Sequence, residues 1–407
     1  MSSTPPRIVI IGAGLQGLSV ALALAHRGVP SLVIERRPAA LRGASHGNEG
    51  KLHLGLVYAL DDTLETGVEM LRGAHAFAPL LDRWCGPLPW AEWRSEGFRY
   101  LVMPDSLASV ARLEAYYSRL REALPGALEG LTVAPSYVGT ALSWLWRRAR
   151  DPAGVPCMQG QRLSAIDTEE VTVDTRLLTG LLAERVRRNP LITMRCNRDV
   201  ADVARTDTGY RLSVRHAGRV AEIAADGVIN CAWTDRIRLD RLAGVDGGGE
   251  ALCYRVKHRV IVRPRQPLDL KPMTLVQGPF GDICPYKDGT YYLSWYPTCR
   301  TFFGRQPPRD ELVGADTLAA IGSETLAVMA GLFPGLAGAE ILSCSPCVIV
   351  AKGQSDVDDP DSALHARTRS GPRGGEGWWS VDTGKLTLAP LHGEATARQV
   401  LQAYGLG

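Results

Sequence analysis

The stretch that decides the fold is RIVIIGAGLQGLSVALALAHRGVPSLVIER, Arg7 to Arg36. Ile8 to Ile11 is a short β-branched run with no polar member, the pattern of a buried strand. Gly12, Gly14 and Gly17 follow at once in G-x-G-x-x-G spacing. A helical pattern then runs from Leu15 to His26 and stops at Gly28. Ser31 to Ile34 reads as a second strand, ending on Glu35. Gly12 permits a tight turn, Gly14 lets backbone approach a pyrophosphate, and Gly17 lets helix and strand pack closely. Free N–H groups and the helix dipole at that turn favour phosphate. Glu35, eighteen residues beyond Gly17, is placed to accept hydrogen bonds from an adenosine ribose. The turn Gly12, Ala13, Gly14, Leu15, Gln16 and Gly17, together with Glu35 and Arg36, is therefore a candidate dinucleotide site. The motif does not choose between FAD and a nicotinamide nucleotide, but its place at the start of the chain favours FAD.

A chain of 407 residues is too long for one ordinary core, and two interleaved domains are expected. Its 45% hydrophobic and 22% charged residues are those of a soluble globular protein. A net charge of +3 implies no polyanionic partner, so no nucleic acid is expected. The opening MSSTPPR has no basic segment leading into an apolar one, and no run approaches the ~18 apolar residues of a membrane span. The nine scattered cysteines suit reduced thiols and a cytoplasmic setting. Cys344 and Cys347 form a C-x-x-C without a second pair, so no metal site is expected. Two thiols in a strand is the simpler reading than a redox dithiol.

After Glu35 comes a glycine-rich loop in which Ser45, His46, Asn48, Glu49, Lys51 and His53 crowd into nine positions. Gly43, Gly47, Gly50 and Gly55 interleave with them and suit close approach to a flat or phosphorylated ligand. The nucleotide fingerprint followed by ASHGNEGKLHLGLVY (44–58) resembles the D-amino-acid oxidase superfamily of flavoproteins. It is most similar to the branch holding glycerol-3-phosphate and L-2-hydroxyglutarate dehydrogenases. There a loop beneath the flavin ends in H-x-G, matched here by His53 and Gly55. The resemblance implies FAD as cofactor, with Ser45, Asn48, Gly50, Lys51 and Leu52 beneath the flavin.

The rest of the chain carries the same order of parts. Asp61 to Trp84 has helical spacing, and Ser106 to Leu124 reads as a helix opened by an Asp105-Ser106 cap and closed by Pro125-Gly126. Val171 onward reads as a strand end and an Asp174-capped amphipathic helix to Asn189. ITMRCNRDVADVARTDTGYRLSV reads as an alternating hairpin, and DGVINCAWTD as a further strand. By resemblance Val200, Cys231 and Ala232 meet the dinucleotide, while Trp233 stands where the family usually has glycine. Residues 251 to 303 are strand-rich and fit an antiparallel substrate sheet. Asp310 to Leu332 is helical. In the tail, WWSVDT is a strand, Gly384 a turn, and Lys385 to Ala403 a helix interrupted near Pro390. Gly384-Lys385-Leu386-Thr387 resembles the G-K-L-T that meets the flavin's pyrimidine end.

The expectation is an α/β protein: a Rossmann-like FAD-binding domain with an interleaved α+β substrate domain built on an antiparallel sheet. The FAD-binding segments are 1–84, 166–248 and 348–407; the substrate segments are 85–165 and 249–347. The reaction implied is hydride removal from a C–OH or C–N carbon of a small polar metabolite, such as a 2-hydroxy acid, amino acid or polyol phosphate. Oxygen, quinone or another protein would accept the electrons, and nothing indicates peripheral membrane contact. His53 is the candidate base, Lys385 the cation near reduced flavin, and Arg255 a carboxylate clamp, with Arg99 and Arg300 as rivals. His46 is considered as a covalent tether, although its register differs from that of such histidines. Of Tyr286, Tyr291, Tyr292 and Tyr296, some face the cavity. A flavin monooxygenase using NAD(P)H, suggested by Gly281-Asp282, and an FAD-binding protein without turnover are the alternatives.

Overall fold

The computed structural model describes residues 6–151, 154–158, 160–245, 251–308, 313–367 and 369–406. The Ile8–Ile11 strand lies in the middle of a six-stranded sheet. In spatial order the strands are Ile192–Arg195, Ser31–Ile34, Ile8–Ile11, Gly227–Asn230, Trp378–Asp382 and Gly371–Gly375. The first five are parallel, with Ile10 level with Val33 on one side and Ile229 on the other. Segments from the start, centre and end of the chain thus share one sheet. The reason is visible in composition: IVII, SLVI and GVIN are apolar on both faces, so each strand must be covered above and below. The Leu15–Ala25 helix, buried along its whole length, covers one face with Ala389–Tyr404 packed beside it.

A three-stranded antiparallel sheet (Asp199–Thr206, Gly209–His216, Arg219–Ala225) covers part of the other face through Val203, Leu212 and Val214. The expected hairpin therefore begins at Asp199. Ile192–Arg195 instead leaves it to become the edge of the parallel sheet, because its partner Ser31–Ile34 offers an unpaired edge.

The second large sheet has nine strands, ordered from Arg300–Gly304 through Leu252–Arg263, Tyr291–Trp295, Gly281–Pro285, Met273–Val276, Arg99–Val102 and Ser164–Thr168 to Trp146–Arg148. Glu340–Lys352 also pairs along Leu252–Arg263. It is mixed rather than antiparallel throughout: Met273–Val276 runs parallel to Arg99–Val102. Division points after residues 165 and 347 fall inside the strands Ser164–Thr168 and Glu340–Lys352 of this sheet. Helix Ala315–Leu332 packs on it over Met273, Ile283 and Leu293; residue 310, the expected start of this helix, lies outside the described residues.

Several helix ends differ from the sequence reading, and the helix expected over Asp61 to Trp84 spans Glu65–Cys85. The second long helix is Val110–Leu128, capped by Ser109, whose hydroxyl accepts from the Arg112 N–H at 3.2 Å. Ser106 is occupied elsewhere, bonding the Ala108 carbonyl and the Gln277 N–H. Pro125 sits inside the last turn, where a missing N–H removes a single bond. In the tail, Leu386–Leu388 forms one tight turn and Ala389–Tyr404 the helix. Pro390 does not interrupt it but opens it, in the first turn, where no N–H partner is needed.

Candidate active site

A cleft of about 780 Å3 runs between the parallel sheet and the nine-stranded sheet, within the roughly 300–1,000 Å3 typical of small-molecule sites. At one end the three fingerprint glycines have separate duties. Gly12 has φ +99° and approaches the Cys231 carbonyl so closely that a Cβ would lie 2.6 Å from that oxygen. A Cβ on Gly17 would lie 1.9 Å from the Gly12 carbonyl oxygen. Gly14 differs: its backbone is extended, and a Cβ there would meet only Ser45 Oγ at 3.5 Å, ordinary contact. Nothing in the protein demands glycine at position 14; the clear cleft floor does. That is the cradle a pyrophosphate needs.

Leu15 donates its N–H to Ser45 Oγ at 2.9 Å. The Glu35 carboxylate accepts from Ala13 N–H at 2.7 Å and Arg37 N–H at 2.8 Å, which fixes its direction at the cleft edge. Arg36 reaches Thr234 Oγ1 at 3.2 Å. Val200, Cys231 and Ala232 also line the cleft, and the Val200 carbonyl accepts from Arg238 at 2.8 Å. Trp233 adopts φ +52°, the left-handed backbone that glycine takes without strain. Its indole N–H donates to the Val348 carbonyl at 2.9 Å, so the side chain anchors the conformation its Cβ opposes.

Along the middle of the cleft lie Asn48, Lys51 and His53. Asn48 turns back on its own loop, donating to the Ala44 carbonyl at 2.7 Å and accepting from Gly50 N–H at 2.7 Å. Lys51 is buried over the Phe98 ring at 4.2 Å; its ammonium donates to Asp282 Oδ1 at 2.8 Å and also to Thr274 Oγ1. Burial is the largest influence and disfavours its charge, but Asp282, Glu170 and Glu49 together outweigh it and the lysine titrates higher than usual. Asp282 lies in the Gly281–Pro285 strand and lines the cleft, its carboxylate held by this pair and by Thr274. His53 is 5% exposed, and its Nδ1 has no hydrogen-bond partner, lying 3.8 Å from Glu170 Oε1. Burial first, then Lys385, Lys51 and Arg367, push its pKa well below 6.5. This departs from the near-neutral base that sequence suggests. Glu170, fully buried, accepts from Tyr100 OH at 2.5 Å and Leu54 N–H at 2.7 Å.

At the far end the Gly384–Leu386 turn meets Arg255 and Arg367. Lys385 is half-buried, and burial together with Arg367 lowers its pKa to about 7. Arg255 is no isolated clamp: its Nη1 bonds Tyr296 OH at 3.0 Å and Asp356 at 3.3 Å. Arg99 pairs with Asp167 at 2.8 Å and does not line the cleft; Arg300 pairs with Asp356 at 2.5 Å. Tyr292 and Tyr296 face the cleft, while Tyr291 bonds the Leu268 carbonyl and Tyr286 lies under Arg176.

Gly12, Gly14, Leu15, Gln16, Glu35, Arg36, Ser45, Asn48, Lys51, His53, Val200, Cys231, Ala232, Arg255, Gly384, Lys385 and Leu386 thus share one cleft. Ala13, Gly17, Gly50, Leu52 and Thr387 stand behind it. Thr387 Oγ1 accepts the His53 N–H at 2.9 Å, tying the tail to the first segment. Sequence reasoning missed Arg367, Glu170, Lys257 and Gln277. Arg367 sits among several arginines and glycines of an irregular stretch, and Glu170 in a polar turn, with no periodicity to single out either.

A glycine turn, an acid after the second strand and cations across the cleft define a dinucleotide-dependent oxidoreductase. The family model of the FAD dependent oxidoreductases (DAO) matches residues 7–399, and the chain belongs to that family. Glycine oxidase from Geobacillus kaustophilus superposes with TM-score 0.69 at 16% identity, over 98% of this chain and 95% of that one. Iminodiacetate oxidase (IdaA) from Chelativorans sp. BNC1 gives 0.66 at 20%, over 97% and 95%. Dithionite-reduced L-α-glycerophosphate oxidase from Mycoplasma pneumoniae, with FAD bound, gives 0.64 at 14%, over 99% and 95%. At such identities the likeness is one of fold. The tRNA 5-methylaminomethyl-2-thiouridine biosynthesis bifunctional protein MnmC of Marinobacter nauticus is 33% identical over 98 residues, 24% of this chain and 14% of that protein's length. The enzyme is an FAD-dependent oxidoreductase. Among the described residues no helix is long and apolar enough to cross a membrane.

Proposed function

We propose that this enzyme removes a hydride from a carbon bearing nitrogen in a small anionic metabolite. FAD would be held by Gly12, Gly14 and Glu35 at one end of the cleft and by Lys51, His53 and the Gly384–Leu386 turn at the other. When bound, FAD supplies the two-electron acceptor. Lys385 carries the reading: it is the cation that faces the open cleft at the tail turn, and its charge would hold a substrate carboxylate and offset negative charge nearby.

The choice of nitrogen over oxygen follows from His53. Oxidising an alcohol requires a base to take the hydroxyl proton, matched to neutral pH. His53 is held too acidic for that, and Lys385 beside an anion keeps its own proton. An amine that has already released its ammonium proton to solvent needs no such base, because its lone pair assists hydride departure and the product is an iminium ion. His53, neutral and lining the cleft, would then help to position flavin and substrate and leave the proton count unchanged.

The test is anaerobic bleaching of the yellow enzyme by panels of amino acids, 2-hydroxy acids and polyol phosphates. Members of the amine panel should bleach it, and His53→Ala should slow bleaching without emptying the flavin site. Bleaching by hydroxy acids alone, or by nothing, overturns the reading. Return of colour with oxygen or with a quinone then identifies the electron acceptor.

A further inference from the structure

The main cleft has a side chamber of about 160 Å3, walled by Tyr58, Arg255, Gln277, His365, Arg367 and Lys385. Arg255, Gln277, Arg367 and Lys385 line both spaces, so the chamber opens off the cleft. It falls below the roughly 300 Å3 at which sites for whole small molecules begin; it has room for a head group. Its walls are rich in charge and in hydrogen-bonding capacity not used within the protein. Arg255 is 5% and Arg367 8% exposed, and the Nε of each lacks a partner. Gln277 Oε1 also lacks one, and the Tyr58 hydroxyl lies against Arg367 without a hydrogen bond of good geometry.

The balance of charge is one-sided. Asp356 is already shared among Arg255, Tyr296 and Arg300. Arg367 donates Nη1 to the Val350 carbonyl at 3.1 Å, and among the described residues no carboxylate lies within ion-pair distance of it. His365 bonds the Asp359 carbonyl at 2.9 Å, and burial lowers its pKa, so it adds no negative charge. Asp382 acts on Arg367 only from beyond ion-pair distance; a buried guanidinium without a contacting counter-ion is expensive, and its planar fork matches a carboxylate or phosphate.

We propose that this chamber binds a second anionic head group, a carboxylate or phosphate at the end of the substrate remote from the oxidised carbon. The proposal rests on the amine-oxidising reading above and narrows its substrate to a dianion. Lys385 agrees with it. Burial, Arg367, Arg255 and Lys51 all oppose its charge while Glu49 supports it, and neutral His53 stands alongside. An anion in the chamber would restore that charge, so binding near pH 7.5 should take up protons.

The experiment titrates the FAD-loaded enzyme with inorganic phosphate, succinate and acetate by calorimetry and by the flavin spectrum. Phosphate or succinate should bind at least about tenfold more tightly than acetate, as expected for added charge-assisted bonds. The tighter of the two identifies the head group. Tyr58→Phe deletes a hydroxyl that makes no bond of good geometry within the protein, so folding is preserved and dianion affinity should fall about threefold. Arg367→Gln should abolish the preference over acetate while the protein stays yellow. Acetate binding as tightly as the dianions overturns the proposal. So does unchanged dianion affinity in Tyr58→Phe, which decides the matter if Arg367→Gln fails to fold. Bleaching assays are independent of these titrations: dianion binding without bleaching would leave the chamber standing and remove the amine reading.

Discussion

Lys385 and His53 are held toward their neutral forms by one cause, burial among other cations. Lys385 makes the folded state pH-sensitive. Its folded pKa of about 7 lies below the ordinary 10.5, so between those values the unfolded chain binds the extra proton. The resulting penalty on the folded state is greatest below pH 7 and disappears as pH rises to 10.5. In the flavin-free protein, Lys385→Met should therefore raise the melting temperature at pH 6, with the gain shrinking towards pH 10. The same variant, loaded with FAD, should be reduced at least about tenfold more slowly by an anionic substrate. A melting difference independent of pH would show that the ammonium is not under this strain. Arg255 teaches the complementary lesson. Its type suggested a clamp, but its Nη1 is already spent on Tyr296 and Asp356, while its buried Nε has no partner within the protein.

The strand–turn–helix at the start of the chain carries a sharper contrast than its motif implies. Gly17→Ala would drive a Cβ to 1.9 Å from the Gly12 carbonyl oxygen. Backbone cannot yield there, and the variant should accumulate as unfolded or aggregated protein. Gly14→Ala meets nothing nearer than Ser45 Oγ at 3.5 Å. It should fold with normal circular dichroism and melting in the flavin-free state, yet bind FAD at least about tenfold more weakly, as the methyl enters the space reserved for phosphate. Equal destabilisation of the two flavin-free variants would show that Gly14 serves the protein rather than the ligand.

Across the whole molecule, the Lys51–Asp282 pair bolts the first chain segment to the nine-stranded sheet at the cleft. Lys51→Met would leave Asp282 with the Thr274 hydroxyl and with Lys257, at 4.0 Å, as its nearest cation. Losing one partner of a buried pair should lower stability by about 3–5 kcal/mol in urea titration. The pH dependence follows from Asp282. Lys51 and Lys257 overcome burial and lower its pKa to about 2, so the pair's contribution is present above the usual 3.8 and fades as pH falls toward 2. The gap between parent and Lys51→Met should close over that window.

What the sequence by itself determined is the local grammar. Ile8–Ile11, the three glycines, Glu35 and the Asp174 cap are adjacent or periodic, and near-neighbour sterics and apolar repetition dictate their conformations whatever surrounds them. The family likeness followed from the same short motifs at both ends. The tertiary structure decided everything that depends on distant partners. Ile192–Arg195 joined the parallel sheet because an edge was open, and Met273–Val276 ran parallel to Arg99–Val102. Ser109 rather than Ser106 capped a helix because Ser106 had found Gln277, far along the chain. The side chamber is the furthest case: Tyr58, Arg255, Arg367 and Lys385 come from four separate stretches. No spacing rule links them, and only folding sets their burial, and with it the charge they are left to share.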